Sequence, residues 1–268
     1  MEATLQFFIV LPILAFLISL IVPRKKESIL SGLAIASVGV QLLGTIVFIT
    51  WWILNHYPTL DVKNMVLYQS PHFEFFIDFY FDKTTALFAF MGAVLTFLVV
   101  IFSRYYMHRE EGFKRFFTAL LAFFVGYNLI VFSGNFETLF IGWEILGITS
   151  FLLIAFYRDR YLPVKNGFKV LSFYRLGDIC LILAMWMSHH LWHKNITFME
   201  WNQAEQVLYV FRAHYFQAMF ISVMILIAAT IKSAQLPFST WLPRAMEGPT
   251  TSSAIFYGSL SVHIGVFL

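Results

Sequence analysis

Long apolar runs separated by short polar and basic stretches set the plan of this chain. A bilayer crossing takes about 20 predominantly apolar residues. Eight runs reach roughly that length, near residues 4–22, 30–54, 84–104, 116–133, 136–156, 167–188, 215–236 and 251–268. Such runs can satisfy their backbone in a membrane only as helices. The pattern predicts an all-α integral membrane fold with about eight transmembrane helices. The seventh is expected to be broken and to continue to about residue 244. Pro237 has no N–H there, so the Ser233 carbonyl loses its helical donor and the ring crowds the same turn. The outer loops 55–83 and 189–214 are the longest and are too short for separate domains. The eighth run ends at SVHIGVFL without a polar flank, so a longer parent chain is expected.

Composition agrees with a membrane chain. Hydrophobic residues make up 59% and charged ones 12%, against about 25% charged in soluble domains. The seven Trp and twelve Tyr are expected in interfacial belts. The net charge of +3 needs no nucleic-acid partner, because basic residues in a membrane protein first report topology. One set of loops holds Arg24, Lys25, Lys26, Arg104, Arg109, Lys114, Arg115, Arg158, Arg160, Lys165, Lys169 and Arg244. The other set holds Lys63, Lys83, Lys194 and Arg212. Twelve against four places the first loop inside and the N-terminus outside. The start, with Glu2 and no basic stretch, reads as a retained span and not a cleaved signal. Cys180 is the single cysteine, which excludes a disulfide framework and a thiolate metal cluster. No phosphate-binding or dinucleotide glycine loop occurs, and no cofactor is expected.

Charges within the apolar runs carry the candidate chemistry. Lys232 lies in IAATIKSAQLPFSTWLPRAMEGPT, behind about sixteen mostly apolar residues and just ahead of the helix break. A charge at membrane depth costs roughly 2.5–3.5 kcal/mol on insertion scales, so such a residue is a functional candidate. The plainer reading is a lysine near a helix end that snorkels to the headgroups. Glu144 lies in LFIGWEILGITSFLLIAF with no basic residue nearby in sequence, so its partner must come from another helix. Glu144 and Lys232 would each relieve the cost of the other. Arg175 and Asp178 are three apart, on one helical face, where they can pair. In a low dielectric a lysine can hold a proton when a carboxylate is close and release it when that carboxylate is drawn elsewhere. His263 lies in the eighth run and suits either proton relay or hydrogen-bonded packing. His189 and His193 are four apart and could share a metal, but a third ligand at sound spacing is missing. Gly142, Gly147 and Gly177 are expected to allow close helix packing.

The stretches IDFYFDKTTALFAFMGAVLTFLVVIFSRYYM, FETLFIGWEILGITSFLLIAFY, KVLSFYRLGDICLIL and IKSAQLPFSTWLPRAMEGPT resemble the antiporter-like membrane subunit of respiratory complex I. The likeness is to the bacterial L subunit and mitochondrial subunit 5, whose fold recurs in Mrp-type cation/proton antiporters. It covers about residues 68–268, and the K-S-A-Q-x-P…W-L-P-x-A-M-E-G-P-T run is highly specific. The resemblance implies an inverted-repeat antiporter fold. Residues 1–115 would be the N-terminal helices, with the family's N-terminal segment at about 68–117. Residues 116–268 would form the first antiporter-like repeat, incomplete at its C-terminus. It implies that Glu144 is the family's glutamate of the fifth span and Lys232 the proton-carrying lysine of the broken seventh helix. Arg175 and Asp178 fall on an arginine-glycine-aspartate stretch, and Lys169 on the lysine before it. Four positions depart from the family. Thr251 replaces a proline, Tyr257 takes the place of a histidine on the eighth helix, Arg244 stands where an aspartate is usual, and Ser239 often replaces a histidine. His263, six residues beyond Tyr257, is not a simple substitute.

Three functions follow from these readings. The first is a proton-translocating subunit of an NADH:quinone oxidoreductase-like complex in a bacterial inner membrane. It would handle no electrons itself, because no flavin, iron–sulfur or quinone motif is present. The second is a subunit of a sodium/proton antiporter or of a bicarbonate-uptake complex with the same fold. The third is a structural membrane subunit, which leaves the cost of retaining Glu144 and Lys232 unexplained. Each implies other membrane subunits and the lipid bilayer as partners, with protons or sodium as cargo.

Overall fold

The chain folds as a membrane bundle in which α4 and α5 are the innermost helices. The computed structural model describes residues 2–70, 73–255 and 260–268. Its long helices are α1 (Glu2–Ile21), α2 (Glu27–Leu54), α3 (Lys83–Tyr106), α4 (Phe113–Val131), α5 (Phe136–Ile154), α6 (Tyr161–Trp192) and α9 (Tyr215–Lys232). These seven are long and apolar enough to cross a membrane, among the described residues. Side-chain caps fix two of the starts. Asp82 accepts from the Thr85 N–H at 2.7 Å ahead of α3, and Asn135 accepts from Thr138 at 2.9 Å ahead of α5. In the window scored on α4, 83% of residues are buried, against 33% in those on α1, α2 and α6. That difference makes α4 the axis on which α1, α5 and, more lightly, α2 and α3 pack.

Six of the expected spans match these helices within a few residues, and α6 is the exception. That helix starts at Tyr161 and not near 167. Pro163 sits in its first turn, where a missing N–H costs nothing. The eighth span is corrected. Among the described residues, 251–268 do not form one long helix that could serve as a span. They hold the short α10 (Thr250–Ser253) and α11 (Ser261–Phe267), and residues 256–259 lie outside the description. Gly265 explains how α11 is held: a Cβ there would lie 2.6 Å from the Ala229 carbonyl, so the α11 backbone rests on α9. The 189–214 loop contains two short helices, α7 (Phe198–Trp201) and α8 (Ala204–Ala213).

The 55–83 loop carries structure that a search for spans does not reveal. β1 (Leu60–Ser70) and β2 (Phe73–Phe81) form an antiparallel hairpin with two register irregularities. The run FEFFIDFYF is rich in aromatic and β-branched residues, which suits a strand half-buried on a bundle. Phe81 anchors it against Trp52 and Phe48, with ring centroids 5.2 and 4.9 Å apart. The strand end also bonds to the α4–α5 connection. Tyr80 N–H donates to Phe132 O at 3.0 Å, and Gly134 N–H donates to Asp78 O at 2.8 Å. Gly134 is needed there, since a Cβ would lie 2.5 Å from Asp78 Oδ2. The hairpin therefore braces the start of α5.

Asp78 is fully buried under this hairpin. Burial, and next the Asp61 carboxyl beside it, push the Asp78 carboxyl up to about 7, while Lys63 across the register draws it down less. Asp61 is itself raised by burial, with Glu200 adding to the rise. The folded hairpin thus holds a proton on Asp78 that an unfolded chain would release near the usual carboxylate range of about 4. The sign follows: stability from this group is present at low pH and is lost as pH rises from about 4 to about 7. Proteolytic nicking of residues 60–81, normalised to an unstructured peptide, should speed up between about pH 5 and pH 8. In Asp78→Asn that acceleration should disappear. An unchanged pH profile in the variant would remove Asp78 as the cause.

Candidate functional site

Two glycines bring α5 to its place. A Cβ on Gly142 would sit 2.8 Å from the Gly126 carbonyl and the Ile130 N–H, so the α4 and α5 backbones touch. That contact sets the next two residues of α5, Trp143 and Glu144, toward α6. Glu144 meets Arg175 there: Arg175 Nη1 lies 2.7 Å from Oε2 and 2.9 Å from Oε1. The same nitrogen is 3.3 Å from Asp178 Oδ2, one helical turn along α6. The other Asp178 oxygen accepts from the Trp143 indole N–H at 2.9 Å. Two carboxylates from two helices thus share one guanidinium.

Lys232 completes the group from the last residue of α9. Its side chain is 1% exposed, so it does not snorkel. The ammonium stands 4.2 Å above the Tyr174 ring and 4.6 Å above the Trp143 ring. It has no hydrogen-bond acceptor among the described residues. Asp178, Glu144 and Arg175 lie within its electrostatic reach. A Cβ at Gly147 would lie 3.7 Å from Nζ, an ordinary contact, so the ammonium does not depend on a glycine there. A cation held by two aromatic faces and no acceptor is stabilised by up to about 2 kcal/mol per desolvated contact. Its charge must otherwise be balanced at a distance by the carboxylates.

The helix ends at Lys232 because the chain beyond it turns away. Ser233 caps α9, Ala234 has φ +52, and two 3-10 turns follow at Ser239–Trp241 and Pro243–Ala245. The freed carbonyls find new donors. Gln235 N–H reaches Thr230 O at 2.9 Å, and the Trp241 indole N–H reaches Ile231 O at 3.0 Å. Trp241 also meets Tyr174 edge-on at 5.2 Å. One residue thus caps the broken end and walls the ring under the ammonium.

Glu144, Asp178, Arg175 and Lys232 come together in one group, where the sequence sets out two pairs, Glu144 with Lys232 and Arg175 with Asp178. The pairing within the group is corrected: the hydrogen-bonded partner of Glu144 is Arg175, and Lys232 bonds directly to neither carboxylate. Lys169 is half-buried two turns earlier on α6 and joins none of the ion pairs among the described residues. His263 is exposed on α11 and is not directed into the group. The α11 residue that reaches it is Ser261, whose hydroxyl is 3.4 Å from the Tyr174 hydroxyl. Tyr257 lies outside the described residues. Trp143, Tyr174 and Trp241 were expected in interfacial belts, and all three are buried within the bundle. The available signal was adjacency: Trp143 precedes Glu144, and Tyr174 precedes Arg175.

Comparison with known proteins places this arrangement. Residues 133–268 match the family described as NADH:quinone oxidoreductase/Mrp antiporter, transmembrane. Residues 68–117 match the N-terminus of chain 5 of NADH-ubiquinone oxidoreductase (complex I). NADH-ubiquinone oxidoreductase chain 5 of Petromyzon marinus is 31% identical over 259 residues, covering 96% of this chain and 41% of that protein. NADH-quinone oxidoreductase subunit L of Buchnera aphidicola is 32% identical over 266 residues, covering 98% and 42%. Both relatives are thus more than twice as long as the matched region. Among solved structures, the Mrp complex from Dietzia sp. superposes with a TM-score of 0.80 at 21% identity, covering 97% of this chain and 27% of that one. The archaeal membrane-bound sulfane sulfur reductase gives 0.73 at 15% identity, covering 100% and 52%.

The close contact of α4 and α5 can be tested apart from activity. Gly142→Ala should push the two backbones apart and destabilise the protein by about 1–3 kcal/mol, as overpacking does. Gly32→Ala, where nothing lies within 4 Å of a new Cβ, should leave stability nearly unchanged. Thermal unfolding of the two variants in detergent compares them. Equal midpoints would mean that α5 is not positioned by this contact.

Proposed function

We propose, from the premise that this chain belongs to the NADH:quinone oxidoreductase/Mrp antiporter family of membrane proteins, that it is a proton-translocating subunit in which Lys232 carries the proton. The observation that carries this reading is an ammonium buried to 1% exposure with no hydrogen-bond acceptor among the described residues. Such a charge is held only as long as negative charge nearby balances it. The chain spans less than half the length of the two relatives described above. The assignment therefore concerns this region's part in a larger subunit. On this reading residues 1–115 support the site and residues 116–268 supply the first antiporter-like half.

Arg175 is the switching element in this reading. With its guanidinium on both carboxylates, it offsets the negative charge that Lys232 needs, and release of the proton is favoured. Arg175 is 43% exposed at its side chain, which leaves it free to turn toward another group. When it turns, Glu144 and Asp178 act on Lys232 undivided, and the ammonium is retained. The Glu144–Lys232 coupling thus operates through Arg175 and not through a direct bond. Partners would handle all electron transfer. Exchange of a cation for the proton is the second reading, supported by the Mrp antiporters that the family description also covers.

With partner subunits present and expression matched, Lys232→Ala should abolish or strongly reduce proton uptake into vesicles. Lys232→Arg should fail as well, because arginine keeps its proton at any working pH. Glu144→Gln should impair uptake, and Asp178→Asn should do less. An unreduced rate in Lys232→Arg would make Lys232 a structural charge. Uptake driven by NADH and quinone supports the first reading; uptake that needs only a sodium gradient supports the second.

Orientation is a separate part of the proposal. The N-terminus and residues 55–83 are placed outside, and residues 105–115 and 157–166 inside, from the bias of basic loops. In a Cys180→Ala background, a cysteine at position 110 should label only after the membrane is opened. Labelling from the outer side alone would reverse the topology.

A further inference from the structure

A cleft of about 1350 Å³ lies between α1, α4 and α5, on a face of α5 adjacent to the one that carries Glu144. Its two ends differ in chemistry. Toward mid-membrane it is lined by Phe16, Ala119, Ala122, Val125, Ile148 and Leu152. Ile148 and Leu152 are 46% and 40% exposed along it. At the end where α1 finishes and α4 begins, its wall holds six basic residues and four acidic ones. Of the acidic four, Glu27 has its Oε2 occupied, 3.1 Å from His108 Nδ1 and 3.4 Å from the Arg109 N–H.

Arg115 is the centre of that end. Its Nη2 donates to the Phe156 carbonyl at 2.7 Å, and its plane lies over the Phe156 ring at 4.7 Å. The guanidinium is therefore held in place. Its Nε–H is buried and has no acceptor among the described residues. Arg24 and Arg158 bring two more guanidiniums within its electrostatic reach, against one carboxylate, Asp159. Like charges gathered around a fixed, unsatisfied donor call for an anion. The start of α4 adds to this: Gly112 provides no side-chain cap, and the helix N-terminus favours negative charge. Lys114, bonded to the last-turn carbonyl of Leu20 at 2.7 Å, ties α1 to the same rim.

An anion at the rim and an apolar trough running from it into the membrane describe one class of molecule. We propose that the cleft binds an anionic phospholipid, its phosphodiester among Arg115, Arg24 and Arg158 and an acyl chain along Ala122, Ile148 and Leu152. A zwitterionic lipid would fill the trough and leave the surplus positive charge unbalanced. A free phosphate would satisfy the rim and leave the trough empty. The basic end lies on the side that the loop charges place inside, where anionic headgroups attract basic residues at membrane interfaces.

The test uses the intact membrane complex in detergent. Retained lipid is read by native mass spectrometry after titration with phosphatidylglycerol or phosphatidylcholine. Phosphatidylglycerol should be retained preferentially. Arg115→Ala with Arg158→Ala should weaken its retention by about tenfold or more, the scale of losing one charge-assisted contact. Ala122→Phe, which fills the trough and leaves every charge in place, should weaken it as well. Inorganic phosphate should not compete. Equal retention of the two lipids would overturn the proposal, as would unchanged retention in Ala122→Phe or full competition by inorganic phosphate. A photo-crosslinker at position 148 should capture lipid in the complex; capture of a neighbouring polypeptide instead would assign the cleft to a subunit contact. If the double arginine variant fails to assemble, Ala122→Phe and the crosslink decide the matter alone.

Discussion

Much of this structure answers to one constraint: an ammonium buried among aromatic rings, without an acceptor among the described residues. Lys232 cannot be placed at the end of α9 unless the helix can stop there, and a stopped helix inside a membrane exposes carbonyls that need donors. The turn at 233–238 and the Trp241 indole supply them. Trp241 then packs on Tyr174, and Tyr174 lies under the ammonium. The break, its cap and the wall of the charge site are one continuous set of contacts. Removing any one of them would leave either a bare carbonyl or an unsupported cation.

The opposing charges are set at one remove by a different set of contacts. Gly126 and Gly142 let α4 and α5 touch, and this places Trp143 and Glu144 against α6. Trp143 belongs to both sides of the site. Its ring faces Lys232, and its N–H fixes an oxygen of Asp178. A single aromatic residue thus separates the cation from the nearest carboxylates while orienting one of them. Arg175 takes the positions that Lys232 would occupy in a simple ion pair. Arginine suits that post, because one guanidinium nitrogen meets both carboxylates and the group never gives up its proton.

The sequence was informative wherever energy penalises error. A charge in an apolar run is costly, so Glu144, Arg175, Asp178 and Lys232 stood out and were brought together. The proline break was legible for the same reason: a missing N–H has one local consequence. Spacing could not choose among partners, so Glu144 was matched with Lys232 when Arg175, a helix away, is the one it bonds. Aromatic residues were read by their average habit, at interfaces, and three buried ones were misplaced. His263 was singled out by residue type, yet it points away, while the unremarked Ser261 points in. The β-hairpin is hidden in the sequence because FEFFIDFYF is apolar and aromatic, like the spans, yet at nine residues is far too short to cross a bilayer as a helix. Its role emerges only through Gly134 and Phe132, more than fifty positions away.

The charge balance of the site limits how it can work. Two carboxylates, one guanidinium and one ammonium make a neutral set. If Lys232 releases its proton on the proposed reading, the set is left one unit negative in a poorly solvated space. At an effective dielectric of about 20, a unit charge about 6 Å away changes that energy by about 3 kcal/mol, roughly a hundredfold in proton occupancy. A change of that size does not need a large conformational step. It needs one positive charge to approach as the proton leaves, or Arg175 to stay while it does. The partly exposed Arg175 is the member of the set able to respond to a neighbour, because Asp178 and Lys232 are buried and Glu144 is bound to it. On the proposed reading, coupling between this region and a neighbouring subunit would therefore enter on α6, at Arg175, and Lys232 would hold or release its proton in response.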